Sequence, residues 1–187
     1  MTITTVIHAD GAINAARTAN ENVGSEFIAG GTTLVDLMQL GITSPTQLVN
    51  LTRIPQAQQI TINEDGVYLG AGTKMSAVGR HPEIIRRLPV IADAINKAAS
   101  PQIRNMATVA GNLLQRTRCP RFRDPASACN RREPQSGCER SSSEIRHFAI
   151  LGASSACQSN YPGDLAVALT TLDATIDILS PTGVART

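Results

Sequence analysis

Apolar and polar residues alternate with two different periods along the chain. Residues 3–7, Ile-Thr-Thr-Val-Ile, read as a short strand, and the alanine-rich residues 12–20 as a helix. Glu26-Phe27-Ile28-Ala29 runs into Gly30-Gly31-Thr32-Thr33, after which Leu34, Val35, Leu37 and Met38 repeat at helical spacing. Residues 47–51 read as a strand. Residues 58–62 and 67–70 flank Asn63-Glu64-Asp65-Gly66, where Asp-Gly signals a hairpin. A second glycine-rich strand exit, Gly70-Ala71-Gly72-Thr73, precedes a helix at 75–79 and fits a tight turn or a ligand contact. Two helices follow at 82–87 and 88–99. The second sets Leu88, Ile91, Ala92, Ile95 and Ala98 on one stripe and stops at Ser100-Pro101. Residues 148–151 read as an apolar strand, 164–172 as an amphipathic helix, and 175–179 as a strand ending in Pro181-Thr182-Gly183. This alternation predicts an α+β class. A strand and turn this close to Thr187 ask for a partner strand, and a longer protein truncated here is the expectation.

With 187 residues and 42% hydrophobic content, the chain can bury one core or two small lobes. Aromatics make up 3% and there is no Trp, so the core is aliphatic and a base-stacking surface for nucleic acid is not expected. No 18-residue apolar run could span a membrane. The first ten residues lack the basic and apolar regions of a secretory signal, so folding in the cytoplasm is expected. The net charge of +2 conceals a division. Residues 104–146 carry nine arginines against four acids, a net of +5, and the remainder carries a net of −3. That excess suits a solvated loop, an anionic partner, or compensation for a negative centre held by thiolates.

The excess coincides with all four cysteines, Cys119, Cys129, Cys138 and Cys157, spaced C-x9-C-x8-C-x18-C. Structural disulfides do not suit a protein folded in the cytoplasm. Zinc sites use closer pairs, because a tight turn presents two thiolates together. An iron–sulfur cluster tolerates wide spacing in a wrapping loop, and Pro120, Pro125, Pro134, Gly137 and Gly152 suit such a loop. On spacing alone, a cluster and four cysteines with no shared role stand nearly level. His147 beside this stretch reads as a structural loop histidine.

On chemistry alone, Gly30-Gly31-Thr32-Thr33 between a strand and a helix is a sensible phosphate cradle. Ala29, Gly30, Gly31, Thr32, Thr33 and Leu34, then Arg104-Asn105-x-Ala107-Thr108-Val109-x-Gly111-Asn112, then Pro162-x-Asp164 resemble the FAD-binding subunits of the xanthine oxidase family of molybdenum hydroxylases. The resemblance covers essentially the whole chain. The insertion between Asn112 and Pro162, with Leu113-Leu114-Gln115-Arg116-Thr117-Arg118-Cys119-Pro120, is similar to the subgroup of periplasmic aldehyde oxidoreductases whose FAD subunit also carries a [4Fe–4S] cluster.

The resemblance implies a two-lobed FAD-binding domain of the molybdopterin dehydrogenase type. One α+β lobe would span residues 1–55, a second 56–187, with the cysteine insertion at about 113–160. Ala29 to Leu34 would cradle the FAD pyrophosphate. Thr108, Gly111 and Asn112 would make the second lobe's contact, Asp164 would accept from an FAD hydroxyl, and Arg104 would help position the cofactor. Cys119, Cys129, Cys138 and Cys157 would ligate the cluster. The resemblance implies that further flavin strands and a C-terminal domain would follow in a longer protein. The implied partners are a molybdenum-cofactor large subunit and a [2Fe–2S] small subunit, with electrons passing from molybdenum through [2Fe–2S] to FAD and on to an acceptor. Neither a membrane nor a catalytic acid–base residue is implied, and a periplasmic location would come by export with a signal-bearing partner.

Overall fold

A computed structural model describes residues 4–138, 148–149 and 151–186. In chain order the elements are β1 (Thr5–His8), α1 (Ala12–Glu21), β2 (Ser25–Ile28), α2 (Leu34–Gln39), β3 (Gln47–Asn50), a 3-10 turn at Pro55–Gln58, β4 (Ile60–Ile62) and β5 (Val67–Leu69). Then come α3 (Met75–Arg80), α4 (Pro82–Arg87), α5 (Pro89–Lys97), α6 (Pro101–Met106), α7 (Val109–Leu113), α8 (Pro120–Arg123), α9 (Asp164–Thr170), β6 (Asp177–Ser180) and β7 (Gly183–Arg186). They divide into two units. The first comprises Met1–Thr32, Pro45–Leu114 and Gly163–Thr187, and the second Thr33–Ser44 and Gln115–Pro162. The lobe boundary expected near residue 55 falls inside the first unit.

In the first unit β1, β3 and β2 form a parallel sheet in that order. The central strand buries consecutive residues, Leu48 and Val49, as parallel strands covered on both faces do. Ala9, Ala15 and Ile54 complete that cluster with Val49. The hairpin read at Asn63–Gly66 forms between β4 and β5, with the Asn63 side-chain oxygen accepting from Gly66 N at 2.9 Å. The strand expected to start at 58 starts at 60, because Pro55–Gln58 turns as a 3-10 helix.

The larger core joins the helices. Met75, Val78, Ile84, Ile91, Ile95 and Leu165 are fully buried, each worth roughly 1.5–3 kcal/mol relative to exposure. Gly79 lets α3 lie close on α5: a Cβ there would stand 2.7 Å from Asn96 Oδ1 and 2.9 Å from Ile95 Cγ2. Asn96 Nδ2 instead donates to Gly79 O at 2.8 Å.

Two expectations are corrected. The partner strand expected beyond the last turn lies within the chain: β7 pairs antiparallel with β6 across Pro181-Thr182. Phe148, Ala149 and Leu151 are not in a strand. Phe148 is buried and Ala149 N donates to Gln158 O at 2.8 Å, but Gln158 belongs to no strand, so this single bond does not extend into a ladder. Ile150 lies outside the described residues.

The second unit has a small core of Leu37, Cys119, Phe122, Cys129 and Phe148, with Ile42 packed against it. Polar ties do much of the rest. Arg132 Nη1 donates to Arg121 O at 2.6 Å and Phe122 O at 2.8 Å, and Nη2 donates to Ser127 O. Arg123 Nη1 meets Asp36 Oδ2 at 2.5 Å, joining α8 to α2. Part of the arginine excess is therefore structural. Glu139, Arg140, Glu144, Arg146 and His147 lie outside the described residues.

Candidate functional site

The glycine loop after β2 has the backbone of an anion cradle. Gly31 stands at φ +72°, a conformation that favours glycine. Among the described residues, no protein acceptor takes the N–H groups of Gly30, Gly31, Thr32 or Thr33. Thr33 and Leu34 begin the second unit, where Thr33 O accepts from Leu37 N as α2 starts.

Gly30 has a second reason to be glycine. A Cβ there would overlap the Met106 carbonyl oxygen and stand 2.7 Å from its carbon and 3.0 Å from Ala107 Cα. The same Met106 carbonyl accepts a hydrogen bond from Lys74 Nζ at 2.8 Å. Lys74 also forms an isolated backbone bridge with Thr108, and Met75 N donates to Ala107 O at 3.0 Å. The chain is thus laced so that two segments some seventy residues apart meet the lysine. A cavity opens at this junction, lined by Ala29, Thr52, Gln58, Gly72, Lys74 and Thr108 beside Leu51. The strand exit at Gly70-Gly72 makes the tight turn that was one of its two readings. Gly70 lies against the Ala57 carbonyl, where a side chain has no room, and Gly72 also lines the cavity.

Of the residues singled out in the sequence, Ala29 and Thr108 meet at this cavity, and Gly30 underlies it through Met106. Thr108 caps α7, accepting from Gly111 N at 3.2 Å, and Asn112 lies one turn on. The N–H groups of Val109 and Ala110 are taken by Thr73 O and Ala71 O, so α7 offers its side chains. Asp164 opens α9. Arg104 is not part of the lining: its Nη1 donates to Ala98 O at 2.9 Å and Ala99 O at 2.8 Å. There it fixes a turn with Ala99 at φ +51°. Sequence reasoning missed Lys74, Gln58 and Thr52. Lys74 had a signal: it is one of two lysines beside fifteen arginines, directly after a glycine-rich strand exit.

In the second unit all four cysteines, none of them in a disulfide, line one small cavity. Cys119 precedes Pro120 at the start of α8 and donates its N–H to the buried Thr117 hydroxyl at 3.2 Å. Cys129 and Cys138 pair across an isolated antiparallel bridge. Its turn is closed by Gly137 N donating to Asn130 Oδ1 at 2.8 Å. Asn130 Nδ2 to Ala156 O, 2.8 Å, and Arg131 Nη1 to Ser159 Oγ, 2.9 Å, bring in the segment bearing Cys157. Cys157 Sγ lies 3.2 Å from Ser159 Oγ. Burial pushes the Cys157 thiol up, but hydrogen bonds from Ser159 and the charge of Arg131 outweigh it and hold the thiol below its ordinary range. Among the described residues, no three His, Cys, Asp or Glu side chains are close enough to hold a single metal ion. The thiols surround a space without converging on a point.

The family of the FAD binding domain in molybdopterin dehydrogenase matches residues 3–187. The chain belongs to this family. The aldehyde oxidoreductase FAD-binding subunit PaoB of Escherichia coli K12 is 41% identical over 172 residues, 92% of this chain and 54% of that protein. The carbon monoxide dehydrogenase medium chain of Hydrogenophaga pseudoflava is 32% identical over 57% of this chain and 38% of its own. Quinoline 2-oxidoreductase from Pseudomonas putida 86 shares the fold, with a TM-score of 0.68 at 17% identity over 98% of this chain and 50% of that one. The chain thus spans about half the length, or less, of these relatives. As a family member it is an FAD-binding domain, and its cradle fits that cofactor: free N–H groups and an ammonium suit a diphosphate.

Proposed function

We propose that this chain is the flavin and iron–sulfur portion of a molybdenum-dependent aldehyde oxidoreductase, serving electron transfer beside a molybdenum-cofactor large subunit and a [2Fe–2S] small subunit. The aldehyde class is supported by the 41% identity to a relative named for that activity. The flavin domain would consist of two lobes divided near residue 55. When bound, FAD supplies two-electron and one-electron exchange, and a [4Fe–4S] cluster supplies one-electron exchange. The protein's part is to bind and orient. Gly30, Gly31, Thr32 and Thr33 present N–H groups to the diphosphate, Thr108 and Asn112 present side chains, and Asp164 accepts from a hydroxyl of FAD. Arg104 acts at one remove, by holding the turn before α6.

The observation that carries the iron–sulfur reading is the cavity lined by all four cysteines. A tetrahedral zinc ion binds thiolates at about 2.3 Å and draws their sulfurs together. A four-iron cube is a larger body with a thiolate at each corner, which suits thiols standing around a space. Arg131 and Ser159 at Cys157 favour the thiolate that such ligation needs. Export with a signal-bearing partner remains the proposed route to the periplasm.

Anaerobic purification of the full-length protein tests this reading. It should show flavin absorbance with a broad iron–sulfur band, at about four irons and four sulfides per chain. One zinc per chain and no colour beyond flavin would remove the cluster and leave the flavin assignment standing.

A further inference from the structure

We propose that Lys74 is the cation that neutralises the diphosphate of bound FAD, held ready by the Met106 carbonyl that Gly30 admits. The inference rests on the flavin reading of the cradle and adds to it a charged contact.

The cavity leaves few donors for a ligand. Thr52 sends both its N–H and its hydroxyl to Asn50 Oδ1, at 2.9 and 2.7 Å. Gln58 Nε2 donates to Thr52 O at 2.7 Å. Ala29, Leu51 and Gly72 bring no side-chain donor. Thr108 keeps its O–H, since its oxygen serves Gly111 N as acceptor. Lys74 alone in the lining carries charge. An ammonium has three donors, and the Met106 carbonyl takes one, at 2.8 Å. Among the described residues no carboxylate pairs with it.

A half-buried cation without a counter-ion, at the mouth of a cavity shared with Ala29 and Thr108, calls for an anion. A diphosphate brings negative charge that N–H dipoles alone only partly offset. The Met106 carbonyl anchors the flexible lysine stem, so less rotamer freedom is lost when the ligand arrives. That anchor exists only because residue 30 has no side chain.

The test is FAD affinity of the full-length protein after flavin removal, read from flavin fluorescence at low and high salt. Lys74→Met and Lys74→Gln should each weaken FAD roughly ten- to a hundredfold at low salt, as loss of one charge-assisted hydrogen bond does. Their affinity should also depend less on salt than the wild type's, because one screened attraction is gone. Lys74→Arg should bind within a few-fold of wild type. Lys74→Gln separates charge from the structural hydrogen bond, since an amide still donates to Met106. If Lys74→Gln binds as tightly as wild type with the same salt dependence, the charge has no role and the proposal is overturned, whatever Lys74→Met does. A wild-type protein that takes up no FAD would overturn the flavin reading itself, and this proposal with it.

Discussion

Gly30→Ala puts one methyl group where the structure has only backbone. The new Cβ would overlap the Met106 carbonyl oxygen and stand 2.7 Å from its carbon and 3.0 Å from Ala107 Cα, where ordinary contact begins at 3.4 Å. No side chain can rotate away, so the end of α6 must shift by at least about 1 Å relative to β2, the distance needed to clear the carbonyl oxygen. That shift loads three bonds at once. They are Lys74 Nζ to Met106 O at 2.8 Å, Met75 N to Ala107 O at 3.0 Å, and Ala107 N to Ile103 O at 2.7 Å. Overpacking costs about 1–3 kcal/mol, and a weakened hydrogen bond roughly 0.5–1.5 kcal/mol. A loss of about 3 kcal/mol is expected, or a fall in melting temperature of roughly 6–12 °C for a domain of this size. The FAD-to-protein ratio after purification should fall with it, since the cradle and Lys74 move together. Gly11→Ala is the control: nothing lies within 4 Å of a Cβ at that helix cap, and its change should stay within about 0.5 kcal/mol. Calorimetry and flavin absorbance read both. If Gly30→Ala melts and retains flavin like Gly11→Ala, the argument from close backbone approach is wrong.

Other perturbations address the second unit. Arg132→Lys keeps the charge but loses the fork that reaches three carbonyls. About 2–3 kcal/mol of that unit's stability should go, seen as protease cleavage within 115–162 while the first unit stays intact. Asp124 accepts from the Ser127 hydroxyl and Ala126 N–H, which hold its carboxyl below the usual range. A depressed folded-state value means that its contribution is present above the ordinary carboxylate range and is lost as pH falls through the depressed one. Asp124→Asn should therefore flatten the acid limb of the stability profile, and an unchanged limb would count against these two hydrogen bonds as its cause. Removing iron from the holoprotein should raise hydrogen exchange across Gln115–Pro162 and leave the α3–α5 core protected, because the small unit has few other buried apolar groups. Equal protection before and after removal would show that the cluster is no staple.

Much of what depends on residues near in sequence was legible, though the 3-10 turn at Pro55–Gln58 and the short helices α6 to α8 were not. The stripe Leu88-Ile91-Ala92-Ile95 made α5, the Asn63–Gly66 turn made the β4–β5 hairpin, and the two glycines after β2 marked a turn in which Gly31 takes φ +72°. Periodicity and turn chemistry are local, so they survive in a linear reading. The strand read at 148–151 failed for the same reason: an apolar run says that it is buried, and only its neighbours decide whether it finds a ladder. Phe148 found a cysteine-lined core. Tertiary structure alone brought Lys74 and Gly30 to one carbonyl, Arg123 to Asp36, and four widely spaced thiols around one cavity. Those meetings are set by how closely backbones can approach and which carbonyls are left to accept, and no spacing along the chain records either.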